Sequence, residues 1–398
     1  MLSAADLDTA LDRDYLAATV AELARVPTNV ELGFDTLIEP DDPKLVRYVQ
    51  DVVRPRLLEL GVRDLIDAPR NNLVARLGAG ESGRCLLLQS YTPAQHHNLM
   101  ERPFDGVIAN GARWGRDEPV VIGQGVSQNK AHQAVMLAVL KLLRDTGVTL
   151  RGRLYWAVNN EGRSSHACTE AILGALSETP GFAIVQTPQD LAISLGNRGR
   201  FDIDVTVHGR AAHSSTPDDG LSAIDGAMLV VERLQGLRWE GEHPLLGPRQ
   251  AVVYKVDFEP KAPHTLPGLA RLTIDRRVLP GEQPEDMLAE VREAIGDLSP
   301  YRVEVSAGVL MLPALVDADD PGVRALQRAV AAVRGSEAPE IHKRGCFDAG
   351  GLCAAGIPAV MFGCGGQGEW PTGTDFVALS DIEDEARILA RLILDMLG

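Results

Sequence analysis

Apolar residues along the chain fall into two alternating patterns, one with helical spacing and one of short, strand-like runs. Residues 12–27 carry a helical stripe that stops before Pro27. Residues 43–60 carry a second, with Val46, Val49, Val52, Val53, Leu57 and Leu60. The clearest helix covers 130–144, where Ala131, Ala134, Val135, Ala138, Val139, Leu142 and Leu143 share one face. Apolar runs at 72–77, 85–89, 153–158 and 183–186 read as buried strands, with a helix near 166–176 before the last. Alternation of this kind predicts a mainly parallel sheet covered on both faces.

Near Asn197 the period changes. Phe201, Ile203, Val205 and Val207 alternate with Asp202, Asp204, Thr206 and His208, which suits a sheet with one wet face. A helix at 221–236, strands at 251–258 and 269–278, a helix at 284–296 and a strand at 301–306 complete a β-α-β-β-α-β order, the split βαβ unit. Helix–strand alternation resumes at 320–334, 357–362 and 382–397. The fold class expected is α/β: a mainly parallel sheet domain over 1–197 and 310–398, with an inserted lid or dimerisation domain at 198–309.

Composition narrows the function classes. The net charge of −16 repels phosphate backbones and anionic lipid, so neither nucleic acid nor a membrane surface is expected as a partner. Five cysteines (Cys85, Cys168, Cys346, Cys353 and Cys364) are odd in number and lack CxxC spacing, against a disulfide framework or a zinc knuckle. The first residues have no basic and apolar signal pattern, and no uncharged apolar stretch reaches about 18 residues. A soluble, cytoplasmic protein is expected.

Candidate chemistry gathers just after the strand-like runs, where open α/β sheets place their ligands. Ser90, Gln128, Asn159 and Asn160 form a polar set suited to holding a neutral polar ligand, or to building the loops. The stretch from Tyr91 to Asn98, with His96 and His97, is polar enough to line a cleft. Glu161 is the one carboxylate in Asn159-Asn160-Glu161-Gly162; beside an apolar strand its pKa would rise, making it an acid or base. A solvated loop glutamate is the competing reading. Lys130 and Tyr91 could supply a cation or a phenolic proton, although Lys130 could equally brace a loop–helix junction. Cys346, preceded by His342, Lys343 and Arg344, is either a nucleophile or an inert buried thiol.

A set of segments spread over nearly the whole chain comprises Pro103-Phe104-Asp105-Gly106, Lys130, Arg198-Gly199-Arg200, Gly209-Arg210-Ala211-Ala212-His213-Ser214, Thr273-Ile274-Asp275-Arg276-Arg277, Asp348-Ala349-Gly350 and Gly356-Ile357-Pro358-Ala359. In these segments the chain resembles the aminoacylase, carboxypeptidase G and succinyldiaminopimelate desuccinylase family of dinuclear zinc amidohydrolases. The resemblance implies a homodimer formed through the inserted domain and a carbonyl-bearing small-molecule substrate. It implies that His213 stabilises an oxyanion and that Arg277, or Arg276, binds a substrate carboxylate; a capping interaction at the lid helix and a lid salt bridge are the competing readings. It also sets Asp348 at the substrate site.

The family's metal ligands fall on other residue types here. Its His-x-Asp pair falls on Ser90 and Thr92, its bridging Asp on Gln128, and its Glu-Glu pair on Asn159 and Asn160. The later carboxylate falls near Thr187 and the last His near Pro371; a one-residue shift would put Glu161 in the second Glu slot. Two divalent ions about 3.5 Å apart repel by roughly 19 kcal/mol at an effective dielectric near 20. Neutral amides and hydroxyls do little to offset that repulsion. No cofactor is therefore expected, the alternative being one relocated zinc or manganese on His96, His132 and His166. The expected function is an enzyme acting on an amide or related C–N bond of a small carboxylate-bearing molecule without paired zinc. A single-metal hydrolase and a non-catalytic binding protein stand as alternatives.

Overall fold

The computed structural model describes residues 9–29, 39–81, 83–94, 100–161, 165–236, 239–365 and 374–398. Two compact units emerge: residues 1–196, 314–342 and 348–398 form the first, and 197–313 with 343–347 form the second. In chain order the principal elements begin with α1 (Arg13–Ala24), β1 (Leu65–Ala68), β2 (Asn72–Leu77), β3 (Cys85–Tyr91) and α2 (Ala131–Asp145). Next come β4 (Arg153–Asn159), α3 (Ala167–Ala175), β5 (Phe182–Gln186) and β6 (Ile193–Asn197). The second unit supplies β7 (Gly199–His208), α4 (Ala223–Gly236), β8 (Gln250–Glu259), β9 (Leu269–Val278), α5 (Pro284–Ile295) and β10 (Arg302–Met311). The chain then returns through β11 (Ala314–Leu315), α6 (Pro321–Arg334), β12 (Glu340–Lys343), α7 (Ala349–Ala354), β13 (Ala359–Phe362) and α8 (Leu379–Leu397).

The large sheet runs β1-β2-β4-β3-β5-β13-β6-β11, with β12 also on β6. Its centre, β4-β3-β5-β13, is parallel, as the apolar runs predict. Both flanks turn antiparallel, at β2 against β4 and at β6 against β13. Side chains alternate between faces along each strand. Leu86, Leu88, Leu154, Trp156, Val158, Phe182, Ile184, Val360 and Phe362 therefore join one core with α1, α2 and α8. The opposite parity (Gln89, Tyr91 and Asn159) meets α3 and α7, and this split governs the chemistry at the strand ends.

The second unit is an antiparallel sheet ordered β8-β9-β7-β10, whose apolar parity packs under α4 and α5. Its element order is β-α-β-β-α-β, as the change of period implies. Among the described residues no helix is long and apolar enough to cross a membrane.

Two expectations need correction. The helix expected over 43–60 is broken by a π-helical turn at Tyr48–Val53, where Arg54 N–H reaches back to Val49 O. Pro55 has no N–H to continue the regular ladder, and the widened turn absorbs that loss. Lys130 does not reach the polar cluster at the strand ends. Its ammonium is buried and donates to the carbonyls of Leu23 (3.0 Å) and Val26, at the C-terminal end of α1, over the Tyr48 ring. A donor there satisfies carbonyls left open at the end of α1 and ties α1 to α2, so Lys130 braces the fold.

Burial lowers the Lys130 pKa to about 7. In the unfolded chain the amine stays charged up to its usual value near 10.5, so unfolding between those pH values takes up a proton. Stability should therefore rise with pH from about 7 towards 10, by an amount on the order of a few kcal/mol. Thermal melts across that window should show the rise in the wild type and a flat profile in Lys130→Met. Parallel profiles would mean that Lys130 stays charged in the folded chain.

Candidate functional site

The carboxyl ends of β4, β3, β5 and β13 lie side by side, with Tyr91 opposite Asn159 and Ser90 opposite Gln186 in register. The pleat sends polar side chains from these ends to opposite faces, and a buried histidine–carboxylate pair sits on each.

On the α3/α7 side, His166 Nδ1 lies 2.9 Å from Asp348 Oδ1, and neither residue is appreciably exposed. The other carboxylate oxygen of Asp348 accepts from Asn159 Nδ2 at 3.4 Å, and Asp348 N–H donates to the Tyr91 hydroxyl at 3.3 Å. Asn159 also donates to Thr169 Oγ1, which Gln89 contacts, and its Oδ1 accepts the Glu161 N–H at 2.9 Å. Glu161 is buried, not solvated: its carboxylate accepts from Cys168 N–H at 2.6 Å and from the Ser165 hydroxyl. The Cys168 amide belongs to the first turn of α3, so Glu161 caps that helix. Burial raises the Glu161 pKa above the ordinary 4.5, and nearby Asp348 adds to the rise. The Cys168 amide and Arg70 act the other way. Asn160 holds the Asn71 carbonyl through its amide nitrogen, while its buried Oδ1 has no hydrogen-bond partner among the described residues. Gly351 lies against the His166 ring, where a Cβ would come within 2.8 Å of it.

On the α2/α8 side, His132 Nδ1 lies 3.0 Å from both oxygens of Glu385. Glu385 also accepts from Gln186 Nε2 (3.0 Å) and from the Cys364 N–H (2.8 Å). Burial alone would raise the Glu385 pKa, but His132 and these donors hold it below the ordinary value.

Several sequence expectations change. Ser90 does not join Asn159 and Asn160: it is fully buried on the opposite face, and its hydroxyl accepts the Trp156 indole N–H at 2.9 Å. Arg277 pairs with Asp275 at 2.7 Å within β9, and Arg276 is buried against Glu282, so both guanidiniums serve the second unit's own ion pairs. His132 and His166 each hold a different carboxylate, on opposite faces, and do not share a site. His96 and His97 lie outside the described residues, as does Pro371. His213, in the second unit, is exposed and bonds Ser215 at 2.7 Å. Gln128 is half-buried in the π-helical turn Val126–Lys130, and Cys346 is buried.

That turn has an anchor with no sequence signal. Asp375 accepts from Gly125 N–H (2.6 Å) and Ser127 N–H (3.2 Å), and burial pushes its pKa up to about 6. Glu385 was more legible: in the last helix it falls at apolar spacing between Ile382 and Leu389, and a carboxylate on a core face signals a buried partner.

The paired zinc ions implied by the resemblance do not fit these donors. Ser90 turns its oxygen to an indole, Asn159 spends its amide on Asp348, and Asn160 offers one neutral oxygen. Such donors do not balance two adjacent divalent charges.

Residues 195–302 match the peptidase dimerisation domain family. An acetylornithine deacetylase from Myxococcus xanthus is 25% identical over 96% of this chain and 98% of its own length. Carboxypeptidase G2 from a Pseudomonas strain is 22% identical over 82% of this chain and 77% of its own. The crystal structure of a tripeptidase from Staphylococcus aureus superposes with a TM-score of 0.73 at 17% identity, covering 97% of this chain and 99% of that one. Over most of its length the chain is similar in sequence to an acetylornithine deacetylase and to carboxypeptidase G2, residues 195–302 carry a peptidase dimerisation domain, and the fold is that of the tripeptidase.

Proposed function

We propose that the protein is an amidohydrolase that cleaves an amide or related C–N bond of a small carboxylate-bearing molecule without a paired zinc centre. Residues 1–197 and 310–398 would carry the chemistry, and 198–309 would join two copies. The observation that carries the reading is the His166–Asp348 pair beside Glu161, Asn160 and Tyr91, at the carboxyl ends of the strands, where open α/β sheets place their ligands. Five free cysteines suit a cytoplasmic enzyme.

Asp348 receives the His166 Nδ1–H, which leaves Nε2 as the basic nitrogen. That nitrogen takes a proton from water as its oxygen bonds to the substrate carbonyl. When the C–N bond breaks, the leaving nitrogen takes a proton from His166 or from the raised carboxyl of Glu161. Asn160 Oδ1, without a partner among the described residues, would accept from a substrate N–H. With Arg277 committed elsewhere, the exposed Arg70, whose charge reaches Glu161, is the cation for the substrate carboxylate.

Turnover should be measured on a panel of N-acyl amino acids and dipeptides, with and without added divalent metal. His166→Asn should lower kcat by about 10²–10⁴-fold, and Asp348→Asn should also lower it. In Glu161→Gln the limb of the pH–rate profile lying above pH 4.5 should vanish. Full activity in His166→Asn, or a rate that depends on two metal equivalents, would sink the mechanism. No turnover across the panel would favour a binding role.

The homodimer has a candidate surface. Ile224, Met228 and Leu229 on α4, and Val252, Tyr254 and Val256 on the edge strand β8, are apolar and exposed. Among the described residues β8 pairs only with β9, so its outer edge can accept another strand. Met228→Glu combined with Val256→Lys should convert a dimer to a folded monomer by light scattering. A dimer unchanged by the pair would place the interface elsewhere.

A further inference from the structure

The α2/α8 cluster has a composition that a plain ion pair does not need. His132, Cys364 and Glu385 are fully buried, and one donor atom from each lies within 4.8 Å of the others. Nitrogen, sulfur and carboxylate oxygen are the donor types of zinc sites. Around a tetrahedral zinc, nitrogen and oxygen ligands sit roughly 3.3 Å apart, and the His132–Glu385 distances are 3.0 Å. In the same cluster Gln186 Oε1 is buried without a hydrogen-bond partner among the described residues. Gln186 already turns its amide onto Glu385, and a half-turn of that amide puts its oxygen where the nitrogen now sits. Gly363 keeps the imidazole in place, since a Cβ there would lie 2.5 Å from His132 Cε1.

We propose that His132, Cys364 and Glu385, with Gln186 Oε1 as the fourth donor, bind one zinc ion as a structural site. On binding, the Cys364 thiol releases its proton to solvent and His132 ligates through a neutral ring nitrogen. Thiolate and carboxylate then balance the two positive charges. Every side chain in the set is closed to water, which leaves no coordination position for a substrate. The ion would tie α2, the end of β5, the segment after β13 and α8 to one another. It does not depend on the hydrolytic reading.

The test is metal analysis of the full-length protein from zinc-supplemented cells, together with exchange into cobalt. One zinc per chain is expected, and the cobalt form should show the near-ultraviolet charge-transfer band of a thiolate ligand. Cys364→Ser should abolish that band and weaken metal retention by about tenfold or more, whereas Cys168→Ser should leave both unchanged. His132→Asn keeps the thiol and should shift the band. A folded wild type holding less than a tenth of an equivalent of zinc, with no cobalt band, would overturn the proposal; so would a band that survives Cys364→Ser. If Cys364→Ser does not fold, the response of the band to His132→Asn decides: an unchanged band places the ion elsewhere.

Discussion

An ionised carboxylate inside a protein costs several kcal/mol unless donors surround it. That requirement organises the ends of the parallel strands. Glu385 receives an imidazole, an amide side chain and a backbone N–H. Asp348 receives an imidazole and an amide side chain, while its own N–H is spent on Tyr91. In each case the donors come from elements distant in sequence, so satisfying one charge fixes the positions of three or four segments at once.

The pleat explains why there are two such centres. Neighbouring residues of a strand face opposite ways, so Ser90 belongs with Trp156 and the α2/α8 core while Tyr91 belongs with Asp348. A linear reading grouped Ser90 with Asn159 because both end strands. Parity separates them. The same logic keeps His132 and His166 apart, although both follow positions that the resemblance gives to metal ligands.

Much of the fold was legible because long-period patterns survive without context. The 130–144 stripe, the buried runs at 72–77 and 153–158, and the change of period near Asn197 all correspond to elements. Short strands such as β1 and Val107–Asn110 carry too few residues for a pattern to register. The site was less legible. Glu161 was singled out correctly as a buried, raised carboxylate, because it is the one acid in an otherwise neutral turn. For Lys130 and Arg277 the chain order alone leaves a structural and a functional reading open, since a cation's nearest partner is set by tertiary packing: carbonyls of α1 in one case, Asp275 in the other.

The first unit is assembled from chain stretches on either side of the second. Asp348, Cys364 and Glu385 all lie in the later stretch, whereas His132, Asn159, His166 and Gln186 lie in the earlier one. During synthesis the two imidazoles are made well before the acids that hold them, with all of 197–313 emerging in between. The central sheet must wait as a partial layer, its β13 edge open, while the ribosome completes a separate module. Neither polar centre can close until the nascent polypeptide is nearly finished, which leaves a long interval in which a chaperone would have uncovered surface to bind.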